Sequence, residues 1–169
     1  GVNIAMGLKY PALYYQQTGE KQLLEAVERN YQQLMTAYGQ QPGGMFAADE
    51  NIRPGYNDPR QGAETCTMVE MMFTWETLLK ITGETIAADR VEDIAFNSLP
   101  ASMTPDLRGL HYLTAANLIS CDRSGEHDFQ NSGTLLSYDP WSYRCCQHNV
   151  AFGWPYLAEH LWLATADQG

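Results

Sequence analysis

The sequence is poor in positive charge. Among 169 residues only Lys9, Lys21 and Lys80 are lysines, and 10 basic side chains stand against 20 acidic ones. A partner rich in phosphate needs a cluster of cations to collect it, so nucleic acid and anionic membrane surfaces are excluded as partners. Long hydrophobic runs are lacking too. None approaches the roughly 18 residues of a bilayer span, and no signal-peptide pattern opens the chain, so no membrane partner is expected. Cysteines number four, and two of them are adjacent and poorly placed to bond each other, which argues against a disulfide framework. What is abundant is apolar and aromatic: 44% hydrophobic and 11% aromatic residues suffice for a core and exclude a disordered tail. The length fits one domain or part of one. Both ends fall inside apolar patterns, so the chain is expected to be a segment of a longer protein.

Two stretches resemble each other. Tyr14-Tyr15-Gln16-Gln17-Thr18-Gly19-Glu20 precedes a helical pattern through Leu23, Leu24, Val27 and Tyr31. Leu78-Leu79-Lys80-Ile81-Thr82-Gly83-Glu84 precedes one through Ile86, Val91, Ile94 and Ala95. In each, one helix stops at a glycine able to take the left-handed conformation and another begins at once, which predicts repeated αα-hairpins. Residues 68–81 are apolar nearly all round and predict a helix buried on most sides. Residues 86–99 carry Asp89, Arg90, Glu92 and Asp93 and predict a wet face. Alternation of inner and outer helices suggests a helical toroid. Residues 39–62 lack periodicity and are long for a passive connection, so that loop is expected to be functional. Residues 100–144 read as irregular, with one strand-like run over 110–114. A last helix is expected over 150–164, with Asn149 as its N-cap and a kink at Pro155.

The chemistry concentrates on the cysteines. Cys145 and Cys146 are neighbours, Cys66 follows an acid in Glu64-Thr65-Cys66, and His148 stands close by; together they read as metal ligands. Cys121 alone reads as a core thiol. In mid-helix, residues two apart point to opposite sides, so Glu64 and Cys66 can share an ion only where a helix begins. Cys145 and Cys146 fall equally close to a helix start, where the macrodipole favours thiolates. Three thiolates and one carboxylate suit four-coordinate Zn²⁺. The alternative set replaces Glu64 by His148.

Ala63-Glu64-Thr65-Cys66 opening a buried helix, the Leu-x-x-x-Thr-Gly-Glu hairpin, and Cys145-Cys146-x-x-Asn149 together resemble the bacterial β-L-arabinofuranosidase family. These are zinc-cysteine glycoside hydrolases built on an (α/α)6 toroid with β-sandwich domains attached. The resemblance implies a mainly α fold: residues 1–169 as part of one catalytic (α/α)6 toroid built of αα-hairpins, with a short β excursion around 110–140. Flanking toroid helices and the sandwiches would lie outside this chain. It implies Zn²⁺ held by Glu64, Cys66, Cys145 and Cys146, with Cys145 as nucleophile. The general acid/base, which follows a Gly-Gly in the upstream loop, falls on Glu50 after Gly43-Gly44, beside Asp49. Where the family commonly has prolines after the cysteine pair, this chain has Gln147-His148.

The implied activity is retaining hydrolysis of a β-L-arabinofuranoside or related glycan, so a carbohydrate is the expected partner. Two other readings stand beside it: a glycosidase of the same family acting on a different sugar, and a non-catalytic protein with a structural zinc site. Sugar contacts are expected from His111 first, then His148 and Tyr56, with Asn57, Tyr112, Tyr138, Trp141 and Tyr143 as further candidates. His160, between Leu157 and Leu161, reads as structural. Compartment stays open between bacterial cytoplasm and export.

Overall fold

Glycine sets both helical hairpins. Gly19 (φ 73°) and Gly83 (φ 72°) occupy the left-handed region and donate their N–H groups to the Tyr15 and Leu79 carbonyls, ending α2 (Tyr10–Thr18) and α4 (Thr65–Thr82). α3 (Gln22–Tyr38) follows the first and α5 (Thr85–Asp93) the second, while a short α1 (Val2–Leu8) precedes them. The computed structural model describes residues 1–39, 41–55, 61–131, 133–137 and 145–166. Tyr56, Asn57, Tyr138, Trp141 and Tyr143 lie outside the described residues.

The fold is mainly α, with short antiparallel strand pairs. α4 is its centre: Cys66, Met68, Val69, Met71, Met72, Trp75 and Leu78 are all buried. It packs against α1, α5 and α8 (Gly153–His160), as an apolar surface on every side requires. The outer helices bury one stripe each; α3 buries Val27, Tyr31 and Leu34, and α5 exposes Asp89 and Glu92. Tyr31 meets Trp75 edge-on at 4.7 Å, and the Arg90 guanidinium lies over both rings while pairing with Glu28 at 2.8 and 2.9 Å. One cation thus ties α3, α4 and α5 together.

Three local expectations are corrected. The helix expected to end at residue 99 runs on past α5 through a π turn (Ile94–Ser98) into α6 (Leu99–Ala101). Pro100 has no N–H to give to the preceding turn, and the wider π turn accommodates it, with Leu99 N–H reaching Ile94 O and the Asn97 amide bonding Asp93 O at 2.9 Å. The run 110–114 is two strands rather than one. β2 (Leu110–His111) pairs with β4 (Leu136–Ser137), whereas β3 (Leu113–Thr114) pairs with β1 (Ala63–Glu64). The partner changes at Tyr112, whose N–H goes to Leu135 O and whose carbonyl receives Thr65 N–H.

The third correction concerns the last helix. α7 (Cys146–Asn149), a 3₁₀ turn (Val150–Phe152) and α8 replace a single span over 150–164. Asn149 is helical and makes no capping bond. The bend falls before Pro155, at Gly153, where a Cβ would come within 2.6 Å of Leu99 Cδ2 and 3.1 Å of Val69 Cγ1. Pro155 lies in the first turn of α8, where its missing N–H costs nothing.

α8 also brings His160 to α4. Its Nδ1 lies 2.6 Å from Tyr156 O and 3.2 Å from the Glu76 carboxylate, which is 1% exposed and accepts no hydrogen bond among the described residues. Burial pushes the Glu76 carboxyl up from 4.5 to about 7, with Lys80 opposing and Glu159 adding to it. The folded state therefore holds this proton more tightly than the unfolded chain. The stability it contributes is complete below pH 4.5 and lost as pH rises through about 7. Glu76→Gln is expected to exceed the wild type by about 3 kcal/mol in urea unfolding at pH 8 and to match it near pH 4. The same difference at both pH values would contradict this.

Candidate active site

The residues that gather the sulfurs come from two helix starts, and the strands hold those starts in place. β1 is tied on one side to β3 and on the other to Asp49. Glu64, the last residue of β1, keeps extended geometry (φ −72°, ψ 138°), so its side chain is free of the helical direction that Cys66 takes in the first turn of α4. The role of a capping side chain passes to the backbone between β2 and β3: Tyr112 O accepts Thr65 N–H at 3.1 Å, and His111 O accepts the Thr65 hydroxyl at 2.7 Å. Glu64 can then turn its carboxylate towards the thiols.

Cys145 and Cys146 stand at the start of α7. Cys66 Sγ lies 3.3 Å from Cys145 Sγ and 3.1 Å from Cys146 Sγ, and Glu64 Oε1 lies 3.3 and 3.6 Å from those two sulfurs. One ligand atom from each of the four residues falls within 4.8 Å of all the others. His148 is exposed and outside this group, so the carboxylate in the cluster is that of Glu64. Asn149, expected as a helix cap, instead points its amide at Cys66 Sγ from 3.3 Å. Its place one turn after Cys145 was the available signal.

The cluster has the properties of a cation site. Metal–sulfur bonds of about 2.3 Å in a tetrahedron would set the sulfurs about 3.8 Å apart, so the ligands need open by only a fraction of an ångström. Glu64 Oε2 is buried and accepts no hydrogen bond among the described residues. Burial, then the charge of Cys145, pushes the Glu64 carboxyl up to about 7. Cys146 is raised by its hydrogen bonds with the other two thiols and by burial. Cys66 is pulled down by Cys146 but raised overall by burial and the Glu64 charge. Cys145, the exposed member, is lowered to about 5, chiefly by the hydrogen bond with Cys146. Anionic ligands crowded in a buried pocket are stabilised by a divalent cation, and the cluster can hold one.

Glu50 approaches from the loop. Asp49, at φ 43°, turns the chain there. The Asp49 carboxylate is fully buried and committed to structure, accepting the Gly62 N–H, Arg53 Nη2 at 2.6 Å and the Gln130 N–H at 3.2 Å. Glu50 is only partly buried and accepts the Tyr112 hydroxyl on Oε2. Its charge is near enough to Cys145 to oppose that thiol's ionisation. Tyr112 is 2% exposed, so it serves Glu50 rather than offering an aromatic face. His111 is half-buried; burial lowers its pKa, and its Nδ1 has no partner among the described residues. Cys121 packs against the cluster that includes the buried Leu110, Leu113 and Leu135, its thiol raised to about 11 by burial and Asp122. The sequence singled out Tyr112 as a sugar contact and not as a partner of Glu50, and Asn131, whose amide donates to the Tyr112 hydroxyl at 2.9 Å, was not legible as part of this site.

Comparison with known proteins gives a family match. The family model described as beta-L-arabinofuranosidase, GH127 catalytic domain, matches residues 4–159. No curated protein and no solved structure matches the chain. With nearly the whole chain matched, the protein belongs to this glycoside hydrolase family, and its substrate is a carbohydrate.

Proposed function

We propose that this member of the GH127 family is a retaining β-L-arabinofuranosidase with Zn²⁺ bound by Glu64, Cys66, Cys145 and Cys146. The supporting observation is the inequality among the three thiols. Cys66 and Cys146 are buried, whereas Cys145 is exposed, has the lowered pKa and feels the charge of Glu50. The helical hairpins at Gly19 and Gly83 support a further reading, that the chain forms part of an (α/α)6 toroid.

The bound ion would supply positive charge that keeps the clustered thiols ionised at neutral pH. Cys145 Sγ attacks the anomeric carbon, and the bond to the leaving oxygen breaks as Glu50 gives that oxygen its proton. The sugar is then held through a C–S bond. Glu50, now a carboxylate, takes a proton from water; the water oxygen attacks the same carbon, and the C–S electrons return to Cys145. Two displacements at one carbon retain its configuration.

A closed four-ligand cluster also supports a second reading, a structural metal site. Glu50→Gln separates the two. In the intact protein it should leave one zinc per chain and an unchanged melting temperature, yet lower turnover of an unactivated β-L-arabinofuranoside by about 10²–10⁴-fold. Turnover equal to wild type would remove Glu50 from the mechanism. Hydrolysis of a different furanoside or pyranoside in the same assay would move the enzyme to another sugar.

A further inference from the structure

Glu50 must both give and take a proton, so which of its two oxygens faces the substrate matters. Tyr112 engages one of them in the structure. Its phenol carries a single proton, and that proton is donated to Glu50 Oε2. On its other side, the phenol oxygen accepts an N–H from Asn131 Nδ2 at 2.9 Å. An amide N–H occupying a lone pair of the hydroxyl favours the orientation in which the hydroxyl points at the carboxylate.

The segment carrying Asn131 is fastened to the Glu50 loop at two further places. Gln130 N–H donates to Asp49 Oδ2 at 3.2 Å, and Gln130 Oε1 accepts the Asn51 N–H at 3.0 Å. These bonds flank Glu50 on both sides in sequence. Asn131 itself sits at φ 72°, a left-handed conformation that asparagine tolerates better than most residues. Donor, hydroxyl and carboxylate thus form one hydrogen-bonded chain, Asn131 to Tyr112 to Glu50, on a braced loop.

We infer that Asn131 is a positioning residue for the acid/base: through Tyr112 it holds Glu50 Oε2 as an acceptor and so fixes how the carboxyl is turned when it exchanges a proton with substrate. The inference rests on the glycosidase reading above. Its consequence is specific to protonation of the leaving group, since loss of the relay removes a contact that orients the carboxyl for that proton transfer.

The test compares two leaving groups in the intact protein, through kcat/KM, which reports bond cleavage and not later hydrolysis of the intermediate. An alkyl β-L-arabinofuranoside needs the proton; the 4-nitrophenyl one leaves readily without it. Asn131→Gly removes the amide yet suits the positive φ. It is expected to lower kcat/KM about tenfold on the alkyl substrate, the worth of one lost hydrogen bond of about 1.4 kcal/mol, and less than about threefold on the 4-nitrophenyl substrate. Tyr112→Phe keeps the ring and should reproduce the same imbalance, more strongly. Melting temperature and metal content serve as controls for folding. Equal losses on both substrates in both variants would make the contacts merely structural and overturn the inference while leaving the glycosidase reading intact. A wild type inactive on every glycoside would overturn both.

Discussion

Cys145→Ser is expected to lose turnover by at least about 10³-fold, the scale on which removal of a covalent nucleophile is felt. Serine keeps the size of the side chain, so packing at the start of α7 is preserved. What disappears is the ionised atom. A thiol lowered to about 5 is a thiolate at neutral pH, and a serine hydroxyl beside Glu64 is not ionised there. Because Cys145 is also one of the four clustered ligands, activity alone does not separate nucleophile from ligand. The measurement therefore has two parts. Turnover is followed on an arabinofuranoside, and the wild type, quenched during turnover, is digested and searched by mass spectrometry for a pentosyl adduct on the Cys145 peptide. An adduct there, absent in Cys145→Ser, assigns the nucleophile. Activity within tenfold of wild type would remove it.

Cys146→Ala should act on the other property of the cluster, its hold on a metal. The Cys146 sulfur is fully buried, 3.1 Å from Cys66 and 3.6 Å from Glu64, and has no role at the surface. Its loss leaves a cavity and an incomplete ligand set. One metal ion per chain is expected in the wild type by elemental analysis, and none in the variant. At free metal a thousandfold above the dissociation constant, binding adds about 4 kcal/mol to the folded state, so the variant should melt well below the wild type. A chelator should bring the wild type down towards it. Metal affinity should also weaken as pH falls below about 7, because Glu64 then holds a proton that binding must release. A metal-free wild type whose stability matches Cys146→Ala would reduce the cluster to packed thiols.

Much of the framework could be read from the residues because its causes are local. Gly19 and Gly83 mark hairpins since a glycine takes the left-handed conformation that ends a helix at little cost. The Met-rich run of α4 marks the centre because an apolar surface on every side must be covered on every side. Failures came where distant partners intervene. Asn149 looks like an N-cap until the start of α7 is displaced to Cys146; it then donates to a sulfur contributed from 83 residues away. The run 110–114 alternates like one strand, yet Tyr112 divides its backbone bonds between Leu135 and Thr65, and two sheets result.

By itself, then, the sequence determined the helical hairpins, the buried central helix, and the cysteines and acids worth watching, since these follow from periodicity, glycine conformation and side-chain chemistry. Only the tertiary structure decided which groups act on one another. Glu64 and not His148 joins the thiols because β1 ends in extended geometry one residue before α4. Asp49 braces the loop while Glu50 stays partly open because a positive φ separates two adjacent acids into different surroundings. Cys145, though chemically identical to Cys66 and Cys146, ionises first because burial and hydrogen bonding differ among the three. Reactivity depends on distance, direction and exclusion of water, and residues far apart in sequence acquire those relations only when the chain is folded.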